Sequence, residues 1–386
     1  MNIPLAKPEI LESDIAAVAA VLRSSHLSQG PVLRAFEEAL ASYLKVDHVV
    51  AINSGTSALQ LALLALRIGD GDEVILPSFS FMAVTNAVLA VRAIPVYADI
   101  DPRTLNLDAA KVEPLISPKT KAIIAVHTFG HPAQMDQISA LAGLHGLKVI
   151  EDACEALGAE TNRRKAGTLG DAGILAFYPN KQITAGEGGA LITNSRPLAD
   201  LVRSLSNQGR NSSMHWFQHE NAGYSYRLSD INCALGLQQL SRIDDILNKR
   251  EILAGWYRDL LQDDNNNKDV KCYRDYPNVK ISWFAFPVLL PEGVRQRDRD
   301  EIWRQLKKSG IECGRYFPPA HLQPVVRKFP FRCGDLSTTV DLAQRLLCLP
   351  FFHSLEHDSI RFICKSLSAA LDEQIGLTQL QNVVGE

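Results

Sequence analysis

The feature that most constrains the fold is an alternation, in the first two-thirds of the chain, between short β-branched runs and segments with helical apolar spacing. Several of the runs are continuously apolar, which is typical of strands buried on both faces of a sheet. The strand-like runs are His48–Ile52, Glu73–Leu76, Ile94–Ala98, Ala122–Val126, Lys148–Glu151, Gly173–Phe177 and Ala190–Thr193. The helical segments are Thr56–Leu66, Phe81–Val91, Met135–His145 and Pro197–Ser206. This alternation predicts an α/β domain with a mostly parallel sheet and a ligand at the carboxyl ends of its strands.

The remainder of the chain has a different pattern. Apolar residues at helical spacing predict one long helix from Ser229 to about Leu261, followed by an exposed polar loop at Asp263–Lys268. Beyond it we expect a smaller α+β domain, with a strand at Trp283–Leu290 and helices at Asp298–Ser309 and Asp358–Leu371. A length of 386 residues fits two domains. We predict a large domain over 1–250 and a small one over 251–386.

Composition and net charge limit the kinds of molecule that the protein is expected to bind. The net charge of −3 favours neither nucleic acid nor an anionic membrane surface. The first residues lack the basic and then apolar order of a signal peptide, and the apolar runs are too short to span a bilayer. The seven cysteines have scattered spacing without a CxxC pair, which is typical of free thiols in a reducing compartment. We therefore expect a cytoplasmic protein that binds neither nucleic acid nor membrane.

Three charged residues follow predicted strands, where a ligand is expected. Lys181 follows the run Ala172–Phe177 and precedes a glycine-rich segment, so its amine can reach into a cleft. Asp152 follows the strand ending at Glu151, and Glu155 lies three residues later. Taken singly, such residues are more often a surface lysine, a capping aspartate and a solvated glutamate. Together they could hold the aldehyde, the ring nitrogen and the phenolic oxygen of pyridoxal phosphate, which needs such groups from a protein.

To bind a phosphate and a flat ring, a protein needs two further features. Ser54 and Gly55 separate a strand from a helix, so that Ser54 is a candidate N-cap and the helix N-terminus is a candidate phosphate site. The chain has neither a GxGxxG nor a GxxxxGK[ST] sequence, which are the common nucleotide signatures. Phe79 or Phe81 could stack on a ring, although most phenylalanines serve in core packing.

Two histidine pairs raise the alternative of a metal site. His127/His131 and His215/His219 have the i,i+4 spacing that can bind zinc on a helix. The first pair spans Gly130 and precedes Pro132, so it cannot lie on a helix. The second pair lacks a glutamate base and an evident third ligand. We therefore predict no metal, and expect His127 at a strand end to line the cleft.

In this combination the motifs resemble the DegT/StrS family of sugar aminotransferases, which are fold-type-I pyridoxal-phosphate enzymes. Each motif is weak alone, but so many in one order over nearly the whole chain are specific. The motifs are Ile3-Pro4-Leu5-Ala6, Gln29-Gly30-Pro31, Asn53–Leu59, Pro77–Phe81, Asp99-Ile100-Asp101, Val126-His127, Glu151–Ala156, Gly170-Asp171, Phe177–Lys181, Gly186–Gly189, Tyr224–Asp230 and Tyr316–Pro324.

The resemblance implies roles for the residues around the cofactor ring. Lys181 matches the lysine that holds pyridoxal phosphate as a Schiff base. Asp152 matches the acid on the pyridine nitrogen, and Glu155 matches the position, often Gln or Glu, near the phenolic oxygen. Phe81 matches the aromatic residue that stacks on the ring.

The resemblance also implies a phosphate site and a dimer. Gly55 and Thr56 match the phosphate-binding turn. The family works as a homodimer in which the segment Tyr224–Arg227, including Ser225, reaches the partner's cofactor. Two positions depart from the commonest pattern, since Ala176 stands where many members have Ser and Ser225 where many have Asn. Both changes shrink or remove a phosphate contact.

The implied reaction moves an amino group from an amino acid, by analogy L-glutamate, to a keto-sugar nucleotide. The implied substrate-binding residues are His127, Tyr316, His321 and Arg227. The alternatives are an amino-cyclitol aminotransferase, another reaction on the same scaffold, and a non-catalytic regulator that binds pyridoxal phosphate or sugar. Lys181 argues against the dehydratase branch, which has His at this position. The sugar itself depends on residues expected around Ser24–Gln29, His215–Asn221 and Tyr316–His321.

Overall fold

The computed structural model describes residues 2–210, 218–263, 270–273 and 276–384. Its α-helices are α1 Glu12–Leu22, α2 Pro31–Leu44, α3 Gly55–Ala65, α4 Met82–Ala90, α5 Ala109–Val112, α6 Met135–His145, α7 Arg196–Ser206, α8 Asp230–Leu240, α9 Ile243–Asp263, α10 Gln296–Lys308, α11 Ser337–Arg345 and α12 His357–Val384. Its strands are β1 His48–Ile52, β2 Glu73–Pro77, β3 Ile94–Ala98, β4 Thr120–Val126, β5 Lys148–Asp152, β6 Glu160–Thr161, β7 Arg164–Lys165, β8 Ala172–Ala176, β9 Gly189–Thr193, β10 Lys271–Cys272, β11 Val279–Lys280, β12 Phe286–Leu289, β13 Arg332–Cys333 and β14 Leu346–Leu349.

The main sheet confirms the predicted α/β class. Its strands run in the order β1-β9-β8-β5-β4-β2-β3-β13. The pairs from β8 to β13 are parallel, whereas β9 is antiparallel to both of its neighbours, so the sheet is mixed but mostly parallel. Apolar side chains on the two faces pack against helices, and the central strands are therefore buried. The edge strand β13 comes from the C-terminal part of the chain, where no strand is apparent in the sequence.

The long helix expected from Ser229 to Leu261 is instead two helices, and that prediction is wrong. The first helix, α8, begins after Ser229, whose side chain caps the N–H of Asn232, and it ends at Leu240. The second helix, α9, begins at Ile243. The apolar spacing continues across the break without Gly or Pro, so the sequence does not signal it. The loop expected at Asp263–Lys268 lies, after its first residue, outside the described residues.

The C-terminal part packs around α9 and a small antiparallel sheet of β10, β12 and β14. Buried Arg250 in α9 donates from Nη1 to the carbonyl oxygens of Trp283 and Phe284, at 2.9 and 3.3 Å. The Tyr257 hydroxyl donates to the carbonyl of Pro350 at 2.7 Å. Residue 250 thus lies inside a continuous helix, and the division into 1–250 and 251–386 stays a prediction. No helix in the described ranges is long and apolar enough to cross a membrane.

Candidate active site

A cavity of about 490 Å³ opens at the carboxyl ends of the parallel strands, where the sequence predicts a ligand. It brings together seven of the residues that we predicted to act in catalysis, cofactor binding or substrate binding. They are Gly55, Thr56, Phe81, Asp152, Glu155, Lys181 and Tyr316. The lining also includes Ser54, Cys154, Ala176, Tyr178, Asn180, Phe284 and Phe317.

Asp152 is the last residue of β5, and its carboxylate is available to the cavity. Its Oδ1 accepts a hydrogen bond from the backbone N–H of Cys154 at 3.1 Å, which fixes the carboxylate against the chain turn. Its own carbonyl accepts from the N–H of His127 at 3.0 Å and so joins β5 to the end of β4. The carboxylate is therefore held by backbone groups, and Oδ2 can receive a donor from a ligand.

Lys181 and Glu155 face each other across the cavity. The Nζ of Lys181 lies 3.5 Å from Oε1 of Glu155, and both side chains are largely buried. The other oxygen, Oε2, accepts the backbone N–H of Phe129 at 3.0 Å. Burial raises the pKa of Glu155, and the Lys181 ammonium and the Phe129 N–H oppose that rise. The Glu155 carboxyl is thus a group whose charge depends on the cation beside it.

The backbone around Lys181 is tied to several elements at once. The loop after β8 turns so that the N–H of Lys181 donates to the carbonyl of Tyr178 at 2.9 Å. The adjacent Gln182 points to the opposite side, where its Nε2 donates to the carbonyls of Glu155 and Ser282 at 2.6 and 2.9 Å. These bonds fix the Cα of Lys181, so the side chain alone moves in the cavity.

The N-terminus of α3 forms the polar end of the cavity. Ser54 is the N-cap, as predicted, and its hydroxyl accepts the N–H of Ser57 at 3.1 Å. Gly55 begins the helix and has no room for a side chain, because an added Cβ would lie 2.8 Å from Sγ of Cys154 and 3.0 Å from Cβ of Ala176. The N–H groups of a first helical turn have no partner inside the helix and suit a phosphate.

These residues fit pyridoxal phosphate. The α3 N-terminus can receive the phosphate, Asp152 the ring nitrogen and Lys181 the aldehyde. A face for the ring is available on Phe81, which is 64% exposed on the cavity rim. The other candidate from the sequence, Phe79, is completely buried and packs against Phe129 and Phe317, so of these two phenylalanines Phe81 is the one available to a bound ring.

His127 does not line the cavity, contrary to the sequence-based expectation. It is completely buried, and its Nε2 donates to Oε2 of Glu151 at 2.9 Å. Its Nδ1 accepts the N–H of Ala133 at 2.9 Å, so both ring nitrogens are engaged within the fold. Because successive side chains of a strand point to opposite faces, Glu151 and its partner His127 lie on the side of the sheet opposite to Asp152.

The other predicted substrate residues are divided between the cavity and its surroundings. Tyr316 lines the cavity, and burial raises the pKa of its hydroxyl to about 12. His321 lies outside the lining, where its Nδ1 is 2.6 Å from the hydroxyl of Ser78. Ser225 and Arg227 also lie outside it, against Asn207, whose Oδ1 accepts from Nη1 of Arg227 at 3.2 Å.

Sequence reasoning gave no role to Phe284 and Cys154. Phe284 enters from the segment before β12, about 100 residues after Lys181, and its ring lies against the lysine amine. Cys154 lies between two assigned carboxylates, but its contact with Gly55 depends on how α3 meets β5. Such contacts between distant elements leave no local signal in a sequence.

The histidine pairs form no metal site in the described ranges. His127 has no free ring nitrogen, and Nδ1 of His131 donates to the carbonyl of Pro132 at 2.9 Å. His215 lies outside the described residues. Across residues 2–210, 218–263, 270–273 and 276–384, no three His, Cys, Asp or Glu side chains cluster as metal ligands do.

A lysine, a carboxylate and a helix N-terminus at the carboxyl ends of this sheet are groups that suit an aminotransferase with pyridoxal phosphate. The family model of the DegT/DnrJ/EryC1/StrS aminotransferases matches residues 8–368, and the chain belongs to this family. It is therefore an aminotransferase rather than a non-catalytic regulator. The aminotransferases of this family depend on pyridoxal phosphate, and the residues described above fit that cofactor.

Three relatives illustrate the match. The chain is 44% identical over 298 residues to a GDP-perosamine synthase of Caulobacter vibrioides, covering 77% of this chain and 79% of the relative. It is 35% identical over 358 residues to dTDP-3-amino-3,4,6-trideoxy-alpha-D-glucose transaminase of Streptomyces venezuelae, covering 92% and 91%. The structure is similar, with a TM-score of 0.89 and 25% identity, to the PLP-form of the putative sugar aminotransferase Spr1654 from Streptococcus pneumoniae, covering 97% and 100%.

Proposed function

We propose that this aminotransferase binds pyridoxal phosphate through Lys181 and moves an amino group from an amino acid to a keto-sugar nucleotide. The observation that carries the proposal is the convergence of three groups on one cavity. These are the Lys181 amine, the Asp152 carboxylate and the N-terminal turn of α3 at Gly55 and Thr56.

When bound, the cofactor supplies an electron sink for the pair of electrons left on the substrate carbon. Asp152 would hold a proton at the ring nitrogen of the bound cofactor, and the Cys154 N–H keeps the carboxylate in place. Lys181, when it does not carry the cofactor, would take the proton from the donor's Cα as a general base and deliver it to C4′ of the cofactor as a general acid. Glu155 lies 3.5 Å from the Lys181 amine, and by the family resemblance it would lie near the phenolic oxygen.

The substrate class rests on the named relatives and on the family resemblance. One relative is named for GDP-perosamine and another for a dTDP-amino-glucose, so a nucleotide-linked sugar is the substrate class that we propose. L-Glutamate is the proposed donor. Because one cavity serves both half-reactions, the donor's keto product leaves before the sugar enters, and steady-state kinetics are ping-pong.

We further propose a cytoplasmic homodimer that completes each cavity with the partner's Tyr224–Arg227 segment. Ser225 and Arg227 lie outside the cavity of their own chain, and Phe81 at its rim is 64% exposed. An exposed aromatic rim is the kind of surface that an interface buries. In this arrangement Ser225 approaches the phosphate of the other subunit, and Arg227 and His321 serve substrate binding.

The test is an absorption spectrum of the purified protein with pyridoxal phosphate, before and after L-glutamate. The expected result is a visible band of the lysine-bound cofactor that L-glutamate converts to a near-ultraviolet band of the amine form. A Lys181→Ala protein should lack the visible band and all turnover. A wild-type protein without the band, or a Lys181→Ala protein with near-normal turnover, would refute the proposal.

Asp152→Asn is the matched second variant. It retains an oxygen that can accept the Cys154 N–H but loses the charge beside the ring nitrogen. We expect the visible band to form and turnover to fall by about 100-fold or more, as for loss of one preorganised electrostatic group. A donor screen in the same assay separates L-glutamate from other amino acids, and a panel of keto-sugar nucleotides and keto-cyclitols identifies the acceptor.

A further inference from the structure

The free amine of Lys181 lies between a carboxylate and an aromatic face. Its Nζ is 3.5 Å from Oε1 of Glu155 and 4.2 Å from the ring centroid of Phe284. Phe284 is 6% exposed, so its ring meets the ammonium in a place with little competing water. A cation over the face of a desolvated ring is attracted by the negative quadrupole of that face.

We propose that Phe284 is a positioning residue for Lys181, whose ring forms, with the Glu155 carboxylate, a resting site for the ammonium while the lysine does not carry the cofactor. The proposal rests on the assignment of Lys181 as the cofactor lysine. Lys181 must leave the cofactor in the first half-reaction and returns to it only at the end of the second. A defined resting site keeps the amine within the cavity during that interval.

One residue fixes both walls of this resting site. The backbone N–H of Phe129 donates to Oε2 of Glu155 at 3.0 Å, and its carbonyl accepts the N–H of Phe284 at 3.4 Å. Phe129 has a left-handed φ of 54°, which is uncommon outside glycine and directs its two backbone groups to different elements. The carboxylate and the ring are thus held relative to each other by a single peptide segment.

A second set of hydrogen bonds holds the backbone segment that carries the Phe284 ring. The carbonyl of Phe284 accepts Nη1 of the buried Arg250 at 3.3 Å, beside the carbonyl of Trp283. Gln182, next to Lys181, donates to the carbonyl of Glu155 itself and to that of Ser282, two residues before Phe284. The same set of backbone hydrogen bonds therefore fixes the lysine, the carboxylate and the ring relative to one another. Such a fixed arrangement keeps a reacting group in place before the reaction.

The resting site has a consequence that a merely structural ring would not have. The Phe284 face and the Glu155 carboxylate both hold the lysine nitrogen at one place in the cavity, where it can meet the aldehyde of an incoming cofactor. Removing the ring should leave the nitrogen less well placed, so that it condenses with the aldehyde more slowly. A ring of similar shape should preserve the wild-type behaviour, whereas an aliphatic side chain of similar bulk should not.

The experiment measures how fast the apoprotein forms the visible band at one pH and saturating pyridoxal phosphate. In Phe284→Leu this limiting rate should fall by about tenfold relative to wild type, which is the size of a desolvated cation–π contact. Phe284→Tyr should retain the wild-type rate. Phe284→Met is a second aliphatic variant should the leucine protein fail to fold, as checked by circular dichroism.

Phe286→Leu is the matched control. Phe286 belongs to the same segment and stacks on Tyr257 at 4.5 Å, but it is not among the residues that line the cavity. Its loss should lower stability and leave the rate of band formation unchanged. Equal rates in wild type and both aliphatic Phe284 variants, or the same slowing in Phe286→Leu, would overturn the inference. A wild-type protein without any band would instead overturn the assignment of Lys181, so the two failures are distinguishable.

Discussion

Glu151 and His127 form a completely buried pair, with 2.9 Å between Oε2 and Nε2. The same carboxylate accepts the backbone N–H groups of Gly167, Leu169 and Gly170. It therefore joins the end of β4 to the loop that leads into β8. Asp152, the next residue, presents its carboxylate on the opposite face, so the pair braces the strand end on which the active-site acid lies.

We expect Glu151→Gln to destabilise the protein strongly. A glutamine places an N–H₂ group among four donors and leaves at least one of them without an acceptor in the interior. Each buried donor left without an acceptor costs about 1–3 kcal/mol, and we expect the unfolding free energy to fall by at least that much. Urea denaturation followed by circular dichroism measures it.

The control is Asp70→Asn, which removes a surface pair with Arg92 at 3.9 Å whose side chains are mostly exposed. Such pairs are worth about 0–1 kcal/mol, so the urea midpoint should hardly change. A small effect of Glu151→Gln, comparable to that of Asp70→Asn, would show that the buried pair is not a brace.

Gly55→Ala should both destabilise the protein and narrow the phosphate end of the cavity. The added Cβ would meet Sγ of Cys154 at 2.8 Å and Cβ of Ala176 at 3.0 Å. Overpacking of this kind costs about 1–3 kcal/mol. The double variant Gly55→Ala/Cys154→Ala removes the closer of the two contacts and should recover part of the loss in thermal unfolding. If the double variant unfolds at the same temperature as Gly55→Ala, the loss of stability does not come from the contact with Cys154.

Ala176→Ser should strengthen retention of pyridoxal phosphate. Ala176 lines the cavity beside the N-terminus of α3, where a hydroxyl could donate to a phosphate oxygen. A hydrogen bond to a charged group contributes about 1.5–3 kcal/mol, so the cofactor should dissociate at least about tenfold more slowly. Loss of the visible band during dialysis gives the rate, and Ala176→Val, which adds bulk without a donor, is the control. Equal rates in Ala176→Ser and wild type would contradict the expected contact.

His131 predicts how stability changes with pH. Burial lowers the pKa of His131 to about 4, against the opposing influence of the Pro132 carbonyl and Asp101 and with a small further decrease from His127. As the pH falls, the unfolded chain therefore binds a proton at this histidine at about pH 6.5, whereas the folded protein binds it only at about pH 4. Since the unfolded state then binds more protons, stability falls as the pH falls through this window.

We expect His131→Asn to remove this component. Its amide can still donate to the Pro132 carbonyl, which accepts Nδ1 of His131 at 2.9 Å, but it does not titrate. Between about pH 7.5 and about pH 5, wild type should lose about 2 kcal/mol more than the variant, by proton linkage. Urea midpoints at the two pH values measure the difference, and the other titrating groups cancel between the two proteins. Parallel losses would mean that His131 titrates normally.

The sequence predicts the sheet well where the signal is local. The bounds of β1, β3 and α6 match the predicted runs, because each is a compact apolar pattern with its own end signals. The break at Ser241–Arg242 was not predictable from the spacing, since Leu240 and Ile243 continue the apolar face that a single helix would show. Nor was β13, since two residues carry no period and its pairing with β3 depends on tertiary contact.

The candidate site shows the same division. Lys181 follows a strand, Asp152 is the last residue of one, and both belong to recognisable motifs, so a sequence can place them at the cavity. His127 also follows a strand, yet its ring turns to Glu151, because alternation along a strand does not fix the direction of a residue just past the strand's end. Phe284 depends on how the later part of the chain packs on the earlier part, which no local pattern records.

The attachment of Arg250 to the carbonyls of Trp283 and Phe284 makes α9 a mechanical extension of the cavity wall. A helix of 21 residues is about 32 Å long, and Lys249 near its first third pairs with Glu9 of the N-terminal segment at 3.4 Å. A movement of the backbone at Trp283 and Phe284 would therefore either break these two hydrogen bonds or carry the Arg250 guanidinium with it. The space available to the lysine amine is thus limited by a helix that shares no sequence neighbourhood with it.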